Sequence, residues 1–251
     1  MKKVFAILAV AAAICSVSCQ KNNSGKSGGK TPSGGGGEYV QPITIDGQFE
    51  DWAALDASKV ATAKCATGAH WTALKTVKVY ADPTFVFVYI EWDKEQIKYY
   101  NNPDDPEDAE WVPFHVYINN DNDAATGGFS DQFADACIDV LFEGFLTDGD
   151  KFASYDPGAY LWVGEAGGSG WGWTESAVVE AGSGIASGAG VEGKYEIAIV
   201  RELIPNGLTD TFSIGFDIQQ GWDSVGVLPN AEATEDNGAG VANSLTVVTV
   251  K

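Results

Sequence analysis

Short runs of strand-forming residues, separated by Gly, Asp, Asn and Pro, are the feature that most limits how this chain can fold. The runs 72–80 and 84–92 flank Ala81-Asp82-Pro83, a turn signal that predicts a hairpin. Further strands are predicted at 113–119, 136–145, 195–201, 212–218 and 245–250. Only short helices are expected, near 51–55 and 201–204. The pattern predicts an all-β fold, a single β-sandwich or jelly-roll-like domain of about ten or more antiparallel strands.

The N-terminus has the composition of a processing signal. Lys2-Lys3 precedes an apolar run that ends in Ser16-Val17-Ser18-Cys19, and this end resembles the processing box of bacterial lipoproteins. We therefore predict a lipoprotein signal peptide over residues 1–18 and lipidation of Cys19. An ordinary signal peptide, cut near Ser18, is the alternative.

Residues 19–37 contain no large apolar side chain and end in four glycines, which predicts a flexible Gly/Ser-rich linker after the lipidated Cys. The β-sandwich domain is then expected to cover residues 38–251. This arrangement resembles outer-membrane lipoproteins of the Bacteroidetes, anchored in the cell envelope through the lipid. Lys21 follows the predicted lipidation site, and no acidic residue occurs before Glu38. This composition favours the periplasmic face of the outer membrane, and the cell-surface face is the alternative.

The charge balance excludes polyanionic partners. The chain has 15 Lys and Arg against 35 Asp and Glu, a formal net charge of −20. A nucleic-acid-binding protein needs a basic face that displaces counterions, and electrostatic docking on anionic lipid needs the same. The excess of acid is concentrated, because residues 99–150 contain no Lys or Arg.

One acidic loop within that stretch has the composition of a calcium site. Residues 119–128 follow a predicted strand and place Asp121 and Asp123 at alternate positions, before two glycines that permit a tight turn. Calcium takes six to eight oxygen ligands, so the loop predicts a structural Ca²⁺. Three further oxygen ligands are predicted at Asn119, Thr126 and Asp139. A polar turn without metal is the alternative.

Tryptophans are the candidates for sugar contact, because an aromatic face stacks on the C–H face of a pyranose ring. Trp162, Trp171 and Trp173 lie around a Gly-rich stretch, and Trp222 lies near the C-terminus. In Trp171-Gly172-Trp173, the period of two expected of a strand places both indoles on one face. The alternative is packing in the core. For three others, Trp52, Trp92 and Trp111, we expect packing in the core or at an edge.

Two cysteines remain after the predicted lipidation site, Cys65 and Cys137. An exported protein can hold such a pair as a disulfide. Two buried thiols are the equal alternative. Neither residue lies in a Cys-x-x-Cys pattern, so a zinc site or a redox motif is not expected.

Four local patterns, in this order, resemble family 9 carbohydrate-binding modules and their DOMON-like relatives. They are residues 45–52, residues 77–92, residues 114–128 with 138–144, and residues 195–201. The resemblance implies a β-sandwich, frequent calcium, and in many members sugar binding between aromatic side chains. Some relatives bind haem through Met, but the only Met here is Met1.

The predicted function is therefore non-catalytic binding of an oligo- or polysaccharide by a membrane-anchored lipoprotein. The chain lacks the Gly-x-Ser-x-Gly, P-loop and His-Glu-x-x-His motifs, so no enzyme activity is expected. A structural or protein-partner-binding lipoprotein without a sugar site is the alternative. A glycan hydrolase is less favoured, although 35 acidic residues supply carboxylate pairs by chance.

Overall fold

Antiparallel strands are the main regular structure of the described chain, which confirms the predicted all-β fold. The computed structural model describes residues 39–98, 111–149, 151–238, 240–242 and 245–251. The predicted signal peptide, the lipidated Cys19 and the linker to residue 37 lie outside these residues. The helical segments are α1 (Glu50–Ala54) and 3-10 turns at Ala57–Lys59 and Arg201–Leu203, close to the predicted positions. No helix in the described ranges is long and apolar enough to cross a membrane.

Fifteen strands are described. They are β1 (Ala61–Lys64), β2 (Leu74–Ala81), β3 (Phe85–Trp92), β4 (Pro113–Asn119), β5 (Gly128–Ser130), β6 (Phe133–Ile138), β7 (Val140–Phe145), β8 (Thr147–Asp148), β9 (Lys151–Phe152), β10 (Gly158–Leu161), β11 (Ala186–Val191), β12 (Lys194–Val200), β13 (Thr211–Gln220), β14 (Asp223–Leu228) and β15 (Thr246–Thr249). The predicted single strand at 136–145 is wrong. The segment forms two strands, β6 and β7, because Cys137 has a positive φ of 50° and Asp139 interrupts the strand pairing.

Two sheets enclose the core. Sheet A has the strand order β1-β2-β3-β12-β11, and sheet B has the order β10-β7-β4-β13-β14, with β15 also paired to β13. Alternate residues of each strand point inwards, so Val86, Val88 and Ile90 of β3 pack in the same core as Phe114 and Val116 of β4. The remaining residues of each strand form the outer faces of the two sheets.

The N-terminal segment covers the outer face of sheet A. Trp52 of α1 and Ile43 pack on Phe87 and Tyr89 of β3. At the centre of this contact lies Glu196 of β12, which is fully buried. One carboxylate oxygen accepts hydrogen bonds from the backbone N–H groups of residues 46 and 47 (3.0 and 2.9 Å), and the other accepts one from Trp52 Nε1 (3.1 Å). Glu196 therefore fastens the segment to the sheet.

The outer face of sheet B is only partly covered. An apolar cluster is formed over it by Phe133 of β6, Trp173 and Leu245, which pack on Tyr117 and Leu141. At one end of this cover the strands carry polar and aromatic side chains instead. That end of the outer face contains the candidate site.

Candidate functional site

Three titratable side chains form a row across sheet B. Strand pairing sets His115 of β4 opposite Glu143 of β7 on one side and opposite Asp217 of β13 on the other. All three point away from the core, because their neighbours Phe114, Phe142 and Phe216 point into it. The row arises from pairing between strands that are far apart in sequence.

Hydrogen bonds link this row to a second layer. Gln219 Nε2 donates to Asp217 Oδ2 (2.7 Å), and Ser224 Oγ donates to the same oxygen (2.9 Å). Gln219 Nε2 also lies 3.3 Å from His115 Nδ1, and the Tyr117 hydroxyl lies 3.3 Å from that nitrogen. The amide nitrogen of Gln219 can only donate, so the Nδ1 atom of His115 accepts from it. In the neutral imidazole, the Nε2 atom then carries the proton.

Burial perturbs the pKa values of this row. Desolvation raises the pKa of Asp217 to about 7, although its hydrogen bonds from Gln219 and Ser224 act in the opposite direction. Desolvation lowers the pKa of His115 to about 4 and raises the pKa of Glu143. The imidazole is thus neutral near pH 7, so its contact at 3.5 Å with Glu143 is not an ion pair there.

Polar atoms in this row lack hydrogen-bond partners. Within the described part of the chain, no partner is present for His115 Nε2, Asp217 Oδ1 or Gln219 Oε1, all of them buried. An unpaired buried polar atom costs about 1–3 kcal/mol, so native proteins keep few of them. These three atoms belong to one network, which lies beside a surface depression.

A depression of about 180 Å³ lies over this network. His115, Gln219, Trp171 and Trp173 all line it. Trp173 is buried, whereas Trp171 is 71% exposed, so the pair provides a packed floor and a free aromatic face. The remaining lining side chains include Tyr117, Ser130, Asp131 and Gln132.

Trp222 borders the same region at the turn between β13 and β14. Its ring lies 6.3 Å from that of His115 and 5.7 Å from that of Phe145, measured between centroids, and the side chain is 56% exposed. Gly221 and Trp222 have φ values of 58° and 70°, the pattern of a type I′ turn, which favours Asn and Gly. A bulky residue at positive φ is strained, and such strain is concentrated at functional sites.

The four predicted sugar-binding tryptophans thus have different environments. Trp171 and Trp222 are exposed near the polar row, and Trp173 lies beneath them. Residues 171–173 do not form a strand, although Trp173 makes an isolated bridge with Trp162. The strand geometry that we predicted for this segment is wrong, but both indoles still line one depression.

Trp162 has a packing role. A Cβ atom added to Gly128, Gly164 or Gly172 would lie 2.3–2.6 Å from its indole ring, so three glycines allow the backbone to close around it. Its Nε1 atom donates to the carbonyl oxygen of Glu165 (3.0 Å). This contact explains why the surrounding sequence is rich in glycine.

The acidic loop has the hydrogen bonds of a polar turn. The backbone N–H of Asp123 donates to Asp121 Oδ1 (2.8 Å), and that of Ala125 donates to Asp123 Oδ1 (2.8 Å). The Thr126 hydroxyl lies 3.4 Å from Asp121 Oδ1. This is the geometry of the metal-free alternative.

The loop also gathers the other predicted calcium ligands. Asp139 accepts a hydrogen bond from the backbone N–H of residue 120 (3.0 Å), and its pKa is raised by desolvation and by the charges of Asp121 and Asp123. Asn119 Nδ2 donates to the carbonyl oxygen of Asp123 (3.4 Å), and Asn119 Oδ1 is buried without a partner among the described residues. Nevertheless, no group of three or more His, Cys, Asp or Glu side chains in the described ranges is arranged to hold a metal.

Asp121, Thr126, Asp139 and Trp162 line a cleft of about 680 Å³, which is larger than the depression beside the polar row. The exposed Trp171, however, lines the depression, and the exposed Trp222 lies beside His115, which also lines it. The row with three unpaired polar atoms also lies there. Since stacking requires an accessible aromatic face, the depression is the candidate site.

The two cysteines are not bonded to each other in the structure. Cys65 Sγ lies 3.6 Å from the carbonyl oxygen of Ala66 and 3.6 Å from Asn230 Nδ2. Cys137 Sγ lies 3.4 Å from the carbonyl oxygen of Ala124. The thiol alternative, and not the disulfide, describes this geometry.

The polar row was not among the site residues predicted from the sequence. None of His115, Glu143, Asp217 and Gln219 was singled out. The alternation of polar and apolar residues in β13 was the available signal, because it places Asp217 and Gln219 together on the outer face. Trp111 was expected to pack in the core or at an edge, yet it is 46% exposed.

No protein-family model matches the chain, and no curated protein matches it significantly in sequence. The resemblance to family 9 carbohydrate-binding modules therefore remains a prediction from four local patterns. Two of those patterns, at 45–52 and 195–201, contact each other through Glu196.

Proposed function

We propose that this protein is a non-catalytic carbohydrate-binding domain, and that the sugar binds at the depression on the outer face of sheet B. The observation that carries the proposal is the combination of exposed Trp171 and Trp222 with a depression lined by the accessible polar side chains of Asp131 and Gln132. Binding sites of this kind combine apolar surface with a few polar groups that set orientation.

Accessible polar side chains of the depression suit a sugar hydroxyl, which both donates and accepts. Asp131 is exposed and its carboxylate accepts, and the half-buried Gln132 carries both a donor and an acceptor. The pyranose ring then stacks on an indole face, as large aromatic side chains permit.

Hydrolysis is not favoured by the positions of the carboxylates. A glycosidase needs two of them on either side of the scissile bond, at a separation set by the mechanism. Asp217 is fully buried and cannot contact a glycosidic oxygen, so Glu143 would act without that partner. The perturbed pKa of Asp217 has a structural cause, since it follows from desolvation.

The test is affinity electrophoresis against immobilised neutral polysaccharides. Trp171→Ala and Trp222→Ala are each expected to weaken retardation by at least about fivefold, the effect of a central aromatic contact. Val247→Ala is the matched control, because Val247 has the same 56% exposure as Trp222 but lies on β15. A folded wild type that no glycan retards would reject the proposal and favour the alternative of a protein partner.

Calcium is proposed at the acidic loop. The fit rests on Asn119 Oδ1, a buried acceptor without a partner among the described residues, beside the carboxylates of Asp121, Asp123 and Asp139. A divalent cation there would relieve the repulsion between these carboxylates. Thr126 would add its hydroxyl oxygen.

The calcium prediction is tested by thermal melting. Millimolar Ca²⁺ is expected to raise Tm relative to chelator, because a ligand that binds only the native state stabilises it. Asp139→Asn is expected to remove the increment, whereas the exposed Asp236→Asn is expected to retain it. An identical melt in calcium and in chelator would leave the loop as a polar turn.

The membrane anchor is proposed from the processing box at Cys19 alone. Mass spectrometry of the protein from membranes of a bacterium that processes lipoproteins is expected to show an acylated N-terminal Cys19. Cys19→Ala is expected to abolish acylation and release the protein. Cleavage at Ser18 without acylation would favour an ordinary signal peptide.

A further inference from the structure

The aromatic surface does not end at Trp222. Its ring lies 5.7 Å from that of Phe145, and Phe145 lies 5.4 Å from the ring of Trp111, in both cases edge-to-face. With His115 at 6.3 Å on the other side of Trp222, four rings follow one another from the polar row to Trp111. This aromatic series leads away from the depression that holds Trp171.

A second depression of about 230 Å³ lies at the far end of the series. Trp111 and Phe145 line it, and Trp111 is 46% exposed. Its other lining side chains include hydroxyls and carboxylates, those of Thr147, Ser154, Asp148 and Asp156. An aromatic face with hydroxyls and carboxylates around it repeats the chemistry of the first depression.

We propose that this second depression, lined by Trp111, Phe145 and Asp148, is a further sugar subsite, and that the natural ligand is a neutral linear oligosaccharide long enough to occupy both depressions. The proposal rests on the carbohydrate binding proposed above. Trp222 lies between the two subsites and contacts the oligosaccharide whichever subsite that ligand occupies.

Charge supports a neutral ligand. Acidic side chains line both depressions: Asp131 the first, and Asp148 and Asp156 the second. No Lys or Arg is among the described residues that line either one. A sulfated or uronic-acid chain would therefore meet uncompensated negative charge, which disfavours binding.

The series of rings supports a linear ligand. Its two exposed members, Trp222 and Trp111, both contact Phe145, so a linear ligand can meet one indole and then the other. Linked subsites add their contributions when one ligand spans both of them. Affinity should then rise with chain length until both depressions are occupied and become constant beyond that length.

The experiment measures this dependence by calorimetry with the full chain. The first screen uses neutral β-1,4-linked glucose, xylose and mannose oligomers of two to six residues, and the best series is kept. For the wild type, affinity is expected to increase at least about fivefold between the shortest bound oligomer and the longest. For Trp111→Ala, binding of the shortest oligomer is expected to be unchanged, and the increase with length to disappear.

Asp148→Asn serves as a second variant, since Asp148 is exposed and its replacement is expected to leave the fold intact. It is expected to weaken only the long oligomers. The opposing outcome is that Trp111→Ala and Asp148→Asn keep the wild-type dependence of affinity on oligomer length while Trp222→Ala abolishes binding at every length. That result would reject the second subsite and retain the first site. If the folded wild type binds no oligomer or polysaccharide, the proposed function itself fails. Tighter binding of a sulfated oligomer would overturn the neutral class.

Discussion

Glu196 and Asp217 are both fully buried carboxylates on the outer face of a central strand, one in each sheet. Glu196 accepts three hydrogen bonds, from two backbone N–H groups and Trp52, so each of its oxygens has a partner. Asp217 accepts two, both at Oδ2, and its Oδ1 has no partner among the described residues. Burial raises the pKa of both groups.

The difference separates a carboxylate that fastens a covering segment from one that borders an open depression. Glu196 lies beneath a segment that covers the sheet completely at that point, and its hydrogen bonds hold the segment in place. Asp217 lies in a network that borders an open depression, through Gln219 and His115. Burial alone therefore does not distinguish the two carboxylates, whereas their hydrogen bonds and the cover over each sheet do.

Removing the satisfied carboxylate should have the largest effect. Glu196→Ala leaves three donors without an acceptor and should lower the free energy of unfolding by about 4–5 kcal/mol. Denaturant unfolding measures this, with Glu192→Ala as the control, because Glu192 is an exposed acid whose ion pair with Lys94 at 3.7 Å contributes little. Equal stability of Glu196→Ala and the wild type would show that these hydrogen bonds do not hold the segment.

Neutralising Asp217, the other carboxylate, should instead raise the free energy of unfolding. The pKa of Asp217 is raised from 3.8 to about 7, so its contribution to stability is present below pH 3.8 and is lost as pH rises to 7. Asp217→Asn removes that loss and should stabilise the protein by about 3–4 kcal/mol at pH 8, with little effect at pH 4.

His115 gives this prediction a second readout. Its pKa is lowered from 6.5 to about 4, so its contribution is lost as pH falls through that range. Between pH 4 and 6.5 the two contributions oppose each other in the wild type. In Asp217→Asn the contribution of Asp217 is absent, so the change of stability with pH over that interval should be more positive than in the wild type. Parallel pH profiles of Tm for the two proteins would contradict the raised pKa of Asp217.

The turn at Trp222 should give the smallest change in stability. Trp222→Asn places a residue that tolerates positive φ in a type I′ turn, and should raise the free energy of unfolding by about 1 kcal/mol. The same variant should weaken glycan binding, because the indole is lost. A thermal melt and a binding assay on one sample check both, with Asp223→Asn in the same turn as the control. A destabilised Trp222→Asn would show that contacts with His115 and Phe145 outweigh the strain.

Several elements of the fold could be predicted from the sequence because their signals are local. The strands at 113–119 and 212–218, the hairpin of β2 and β3, and the short helix near residue 51 all follow from alternation and turn residues. The break between β6 and β7 could not, because it depends on hydrogen bonds of Asp139 with Ile118 and Trp162.

The site was predictable only in part for the same reason. The aromatic candidates Trp171, Trp173 and Trp222 are recognisable by residue type, and the structure places all three around one region. Their different exposures, and the packing of Trp162 among glycines, depend on segments distant from each of them.

The sequence by itself determined that Asp217 and Gln219 lie on the face of β13 opposite to Phe216 and Ile218, because the period of two is a property of the strand alone. Only the tertiary structure decided that Asp217 meets His115, and His115 meets Glu143, because register between strands is set by long-range pairing. It also decided that Glu196 is covered while the row at His115 remains open. Which of two buried carboxylates belongs to a site therefore depends on what packs over its sheet.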